Sequence, residues 1–169
     1  MGFAPKFGFW FAWWLTLALV GIYTTASLPT PLSWISVGFG IFLLFYGLLL
    51  NAIAGRTLKE YGHFELTKGV KRPDRLVTTG LYSCMRHPAQ FGSIFFGMGI
   101  AFVTSNIYAI LLSGWYAFSA IYFILSIEER ESIKNFGADY YTFIKNRKPF
   151  TFSLSCLKRG LQALKNTKL

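Results

Sequence analysis

Between Phe7 and Ala54 the sequence carries no charged side chain. A helix at the surface of a soluble protein needs a polar face, so a run this long excludes a water-soluble helical hairpin. Acidic residues are scarce throughout, seven against seventeen Lys and Arg, and the formal net charge is +10. A basic excess suits nucleic acid only when it forms an accessible stripe, and here it sits in blocks flanking apolar runs. No nucleic-acid partner is expected, and anionic lipid headgroups are the partners this charge fits. Cysteine and histidine occur twice each, too few and too far apart to assemble a metal ligand set. Cys84 and Cys156 both fall in segments assigned to the cytoplasmic side, where thiols stay reduced, so no disulfide is expected.

What is present is apolar and aromatic: 53% hydrophobic residues and 19% Phe, Trp and Tyr. That composition reads as one integral membrane domain over residues 1–169, an all-α polytopic bundle of about four helices. The first apolar run is interrupted only at Leu28-Pro29-Thr30-Pro31-Leu32-Ser33, leaving flanks of bilayer-spanning length near 7–27 and 33–54. The first is longer than the apolar core of a usual signal peptide and reads as a retained helix. Trp10, Trp13, Trp14 and Trp34 read as interfacial anchors. A third span begins at Pro88 and runs to about 104, and Ser105-Asn106 turns it into a fourth over about 107–127. Every Lys and Arg lies at Lys6, between Arg56 and Arg86, or after Ile127, and none in the turns near Pro29 and Ser105. Four spans with both termini cytoplasmic satisfy the positive-inside rule.

Two polar segments frame the last pair of spans. Gly55 to Arg86 holds seven basic residues with Glu60, Glu65 and Asp74, and reads as a cytoplasmic loop on the membrane surface with room for a short amphipathic helix. His63 within it reads as a surface residue. The segment ends in Gly80-Leu81-Tyr82-Ser83-Cys84-Met85-Arg86-His87-Pro88, with Pro suited to the first turn of a helix. A guanidinium beside a helix start can receive a carboxylate or phosphate, and basic residues there also serve as plain anchors. After Ile127 the fourth helix should leave the membrane through Glu128-Glu129-Arg130-Glu131 and break near Gly137; adjacent glutamates at a helix C-terminus oppose its dipole. Beyond Pro149, Phe152, Leu154, Leu157, Leu161 and Leu164 stand against Lys158, Arg159 and Lys165 at helical spacing, an amphipathic helix expected to lie on the membrane.

Gly80-Leu81-Tyr82, Arg86-His87-Pro88 with Gly92, Glu128-Glu129 and Phe136-Gly137-Ala138-Asp139-Tyr140 together resemble the isoprenylcysteine carboxyl methyltransferase and phospholipid methyltransferase superfamily, over roughly Leu76 to Lys148. Gln90 stands where that pattern usually has Tyr, and Phe143 where a second Tyr is often found. The resemblance implies a membrane-embedded enzyme that moves a methyl group from S-adenosylmethionine to a lipid-like acceptor, a prenylated-cysteine carboxylate or a phospholipid amine. It implies a cofactor pocket from segments 76–92 and 128–148, with Tyr82, Arg86, His87, Pro88, Gly92, Glu128, Glu129 and Tyr140 as binding residues and Arg86, His87 and Glu129 as catalytic ones. Sterol-type reductases share a similar Arg-His-Pro element with a nicotinamide cofactor but usually have more spans, and a non-catalytic membrane module keeping only the fold is the other alternative. A soluble Rossmann methyltransferase is excluded, because no strand, glycine loop and helix follow one another.

Overall fold

The computed structural model describes residues 3–62, 64–67, 70–73 and 75–166, with side chains described over 6–62 and 75–165. The reading of His63 therefore lies outside the described residues. The elements are α1 (Phe3–Tyr23), α2 (Thr30–Tyr61), β1 (Phe64–Thr67), β2 (Val70–Pro73), α3 (Pro88–Val103), α4 (Ile107–Phe123), α5 (Glu129–Asn146) and α6 (Leu154–Asn166). The expected all-α membrane bundle is what forms. Three helices are long and apolar enough to cross a membrane: α1, α2 and the continuous helix from Ile107. The apolar α3 is shorter, sixteen residues, which is about 24 Å of rise. Large apolar side chains such as Trp34, Phe45, Leu111, Trp115 and Phe118 are more than half exposed, the pattern of helices solvated by lipid.

The chain divides into two compact units, residues 1–49 with 92–122, and 50–91 with 123–169. In the first, glycines let the helices of α2 and α3 approach closely: a Cβ on Gly47 would lie 2.6 Å from the Gly92 carbonyl oxygen, and one on Gly40 2.6 Å from the Val103 nitrogen. Gly97 makes room for the ring of Tyr116, which is fully buried and takes a hydrogen bond from the Trp14 indole at 3.2 Å. Trp10, 8% exposed, packs edge-on against the same ring. Of the four tryptophans expected as interfacial anchors, Trp34 is exposed, whereas Trp10 and Trp14 serve this core, because Tyr116 supplies both an apolar ring and a polar partner. The turns near Pro29 and Ser105 are joined by Asn106, whose amide donates to the Thr24 carbonyl at 2.9 Å and Thr24 Oγ1 at 2.8 Å. Its Oδ1 accepts from the Tyr108 N–H at 2.9 Å and so caps the start of α4.

In the second unit α2 runs on to Tyr61, past the end of the expected span, and antiparallel β1 and β2 follow, Phe64 opposite Pro73 and Thr67 opposite Val70. The expected surface loop with a short helix is thus a helix extension and a hairpin. A 3-10 turn over Gly80–Ser83 leads to Cys84, Met85 and the Arg86-His87 step. After α4 one π-helical turn, Ile124–Glu128, passes into α5 without a break. Glu128 and Glu129 therefore do not end a helix; they lie within the continuous helix that runs from Ile107 to Asn146, where no free helix end acts on them. The expected interruption at Gly137 is present, with φ 54° and ψ −128° inside α5. The expectation of reduced cysteines is overturned, because Cys84 and Cys156 form a disulfide across a sequence separation of 72. Folding brings α6 onto the 3-10 turn, which spacing alone does not show. The small residues Cys156 and Gly160 make that contact possible: both are buried, and a Cβ on Gly160 would lie 2.8 Å from Leu81 Cγ and 2.9 Å from Ile53 Cγ2.

Candidate functional site

The site grows from a short stretch of paired backbone. Met85 bridges Lys148 in parallel register, the Arg86 N–H donates to the Lys148 carbonyl at 3.0 Å, and the His87 N–H donates to the Pro149 carbonyl at 3.2 Å. This holds the entry to α3 beside the exit from α5. Pro88 then starts α3, fully buried, with no N–H of its own to satisfy.

Arg86 occupies the centre. Its Nη1 donates to the carbonyls of Ile144 at 3.2 Å and Arg147 at 2.8 Å, and Nη2 meets Glu129 Oε1 at 2.7 Å. The Ile144 carbonyl also takes the Arg147 N–H at 3.4 Å, and a guanidinium at this helix end adds a charged donor that complements the negative end of the dipole. Arg86 was expected to offer itself to an outside anion; most of its donors are instead spent inside the protein, and Nε is buried with no hydrogen-bond partner. Arg147 answers in kind, its Nε donating to the Ser83 carbonyl at 3.1 Å and its guanidinium lying 4.7 Å from the Phe143 ring centre.

The same Glu129 oxygen lies 3.2 Å from His87 Nε2, so one carboxylate oxygen serves both members of the Arg-His step. The side chains of Arg86, His87 and Glu129 are 9%, 5% and 14% exposed. Burial alone would raise the Glu129 carboxyl, but the His87 hydrogen bond and the Arg86 charge outweigh it and hold the group below the usual carboxylate range. Glu128, 5% exposed, takes a short hydrogen bond from the Gln90 amide. Gln90 meets Glu128, whereas Arg86 and His87 meet Glu129. Tyr82 is pushed well above its ordinary value by burial, with the Glu128 charge adding to the effect. Burial raises Tyr140 to about 12, and its ring packs between Phe136 and Phe143. Phe91 stacks on Phe150 at 5.1 Å and meets Phe152 edge-on at 4.9 Å, an aromatic wall beside His87.

Of the residues expected at the site, Arg86, His87, Pro88, Glu128, Glu129, Tyr82 and Tyr140 lie in this one unit, and the first two form its nucleus with Glu129. Gly92 falls in the first unit, where its carbonyl faces the bare side of Gly47. Gln90 and Arg147 were not anticipated as partners. Gln90 stood out only as a departure from a pattern, and Arg147 is one of three basic residues in Lys145-Asn146-Arg147-Lys148, which nothing in the sequence separates.

A family model described as phospholipid methyltransferase matches residues 35–139. The chain belongs to the phospholipid methyltransferase family. It is also 29% identical, over 141 residues, to a protein-S-isoprenylcysteine O-methyltransferase of Dictyostelium discoideum, a match covering 82% of this chain and 53% of that protein. The chain spans about half the length of that relative. No solved structure matches. Among this phospholipid methyltransferase family member's site residues, Arg86, His87, Gln90, Glu128 and Glu129 fall inside the family-matched stretch, while Arg147 and all of α6 lie beyond it.

Proposed function

We propose that this protein is a membrane methyltransferase using S-adenosylmethionine, with a lipid-like acceptor: a prenylated-cysteine carboxylate or a phospholipid amine. The observation that carries the reading is the convergence of Arg86, His87 and Glu129 in one buried polar cluster within a chain of this family. The residues fit such a cofactor. Arg86 Nε is a buried donor in need of an acceptor, suited to the carboxylate of an amino-acid moiety, and the Glu128 and Glu129 carboxylates suit its ammonium and ribose hydroxyls. When bound, the cofactor supplies an electrophilic methyl on a cationic sulfur.

The chain's own part is alignment and exclusion of water. Arg86 holds Glu129 and the end of α5 in place, so the acidic and basic sides of the cluster keep a fixed spacing. The aromatic wall of Phe91, Phe150 and Phe152 keeps the surroundings of His87 apolar. A carboxylate acceptor is ionised at neutral pH and needs no base, because its attack on a cation neutralises both charges in a dry site. An amine acceptor must first lose a proton, and His87, paired with Glu129, is the group placed to accept it.

The inside-positive charge distribution supports cytoplasmic termini, with the cluster on the cytoplasmic side, while the Cys84–Cys156 disulfide, a bond rare in the cytosol, counts against that side. A thiol probe added from outside should then label a cysteine placed at Ser105 and miss one placed at Thr67; the opposite labelling overturns the orientation. For the activity, the purified protein in lipid is given methyl-labelled S-adenosylmethionine with a prenylated cysteine or an ethanolamine phospholipid. Transfer of label to one acceptor is expected. Binding of NADPH without binding of S-adenosylmethionine overturns the reading in favour of a reductase.

A further inference from the structure

The helix α6 spends its smallest residues on the protein. Cys156, Gly160 and Ala163, spaced by four and three, share the face turned to Leu81 and Ile53. That leaves its leucines in an unusual place. Leu154 is 84% exposed and Leu161 43% exposed, seven residues apart on one flank, and Lys158 and Lys165 stand on the same flank beside them. Ser155, Gln162 and Arg159 follow beyond the lysines, on the exposed arc between them and the buried face. Phe152, just before the helix, is 74% exposed although its ring edge meets Phe91.

Two further observations say what covers this flank. Gly160 packs against Ile53, which is three residues before Arg56, the first charge after the long uncharged run of α2. The contact puts α6 at the depth where the apolar part of α2 ends. From Tyr140 to Leu169 the sequence has seven Lys and Arg and no Asp or Glu. We propose that α6 is a headgroup-binding helix: Phe152, Leu154 and Leu161 enter the acyl boundary of the adjoining leaflet, and Lys158 and Lys165 pair with the phosphates of anionic lipids above them. Lysine suits that position because its stem lies along apolar surface while its ammonium reaches upward. The inference does not depend on the methyl-transfer reading.

The test uses the full chain reconstituted in vesicles of phosphatidylcholine with or without phosphatidylglycerol, carrying a spin label on a cysteine introduced at Leu161 or at Ser155. The two native cysteines are joined, so the introduced thiol takes the label. In anionic vesicles the label at 161 should be severalfold more accessible to oxygen, relative to a water-soluble nickel chelate, than the label at 155. Lys158→Gln with Lys165→Gln should remove the added gain that phosphatidylglycerol confers at 161. Equal chelate access at both positions overturns the proposal in favour of a water-exposed helix. Protection at 161 that varies with the ratio of protein to lipid overturns it in favour of a second copy of the chain. Protection indifferent to phosphatidylglycerol and to both lysines overturns the anionic-headgroup assignment.

Discussion

Arg86 Nη2 and Glu129 Oε1 stand 2.7 Å apart, joining the residue that precedes α3 by two positions to the first residue of α5. The bond fixes more than one ion pair. The same guanidinium also closes the C-terminal end of α5 through the carbonyls of Ile144 and Arg147, so both ends of α5 are tied to one side chain. His87 adds a second contact on the same carboxylate oxygen. The cluster can therefore be disturbed from either end of the helix.

Arg86→Lys tests this geometry. An ammonium can keep the Glu129 contact but cannot serve that carboxylate and two backbone carbonyls with the planar fork of a guanidinium. Losing the carbonyl contacts at a buried position should cost about 1–3 kcal/mol. Thermal or denaturant unfolding of the reconstituted protein measures it. A silent substitution would reduce Arg86 to a membrane anchor.

The Glu129 carboxyl is held below its ordinary range, and the sign of the consequence follows. A depressed folded pKa means that the unfolded chain binds the proton more readily, so the stabilisation is present above the ordinary carboxylate pKa and is lost as pH falls through the folded value. Stability should decline on the acid side, and Glu129→Gln should flatten that limb while lowering stability at neutral pH by about 1–2 kcal/mol, a modest figure because the group is partly exposed. An unchanged acid limb in the variant would place the titration elsewhere.

The Cys84–Cys156 disulfide closes a long loop and staples α6 to the turn before Arg86. Opening it relieves a constraint on the unfolded chain, worth about 2–4 kcal/mol for a bridge of this kind. Cys156→Ser should lower the unfolding midpoint by an amount that a reducing agent reproduces in the native chain. Reductant that leaves the native midpoint unmoved would show that the bridge contributes nothing.

Gly137 has φ 54° within α5, and open space surrounds the position where a Cβ would be. Gly137→Ala therefore meets no neighbour, and its cost is backbone strain alone, about 1–3 kcal/mol. The cheaper response is to straighten α5, which would shift Tyr140 and Phe143. Near-ultraviolet circular dichroism of the variant should change; unaltered spectra and stability together would show that the kink carries no such constraint.

The membrane bundle was legible because it depends on quantities that a sequence displays directly. Uncharged runs of bilayer length mark the helices, Pro29-Thr30-Pro31 and Ser105-Asn106 mark the turns between them, and the mid-helix break at Gly137 follows from glycine's freedom at positive φ. The meeting of Arg86-His87 with Glu129 was legible at the level of segments, since two successive spans joined by the short Ser105-Asn106 turn are expected to return the chain to the same level. Which atoms meet was not. That Arg86 turns inward to the carbonyls at the end of α5, that Gln90 meets Glu128, and that Cys84 finds Cys156 all depend on side chains distant in the chain arriving within a few ångströms. Hydrophobic periodicity sets which face of a helix is buried, but it is indifferent to which of several basic or small residues on that face finds a partner. The π-helical turn at Ile124–Glu128 shifts the phase of every residue after it, and Glu129 reaches Arg86 and His87 from the helix that follows that turn. Local sequence determined the helices and their order; only the packed structure decided the pairings, because hydrogen bonds and ion pairs depend on position in space rather than distance along the chain.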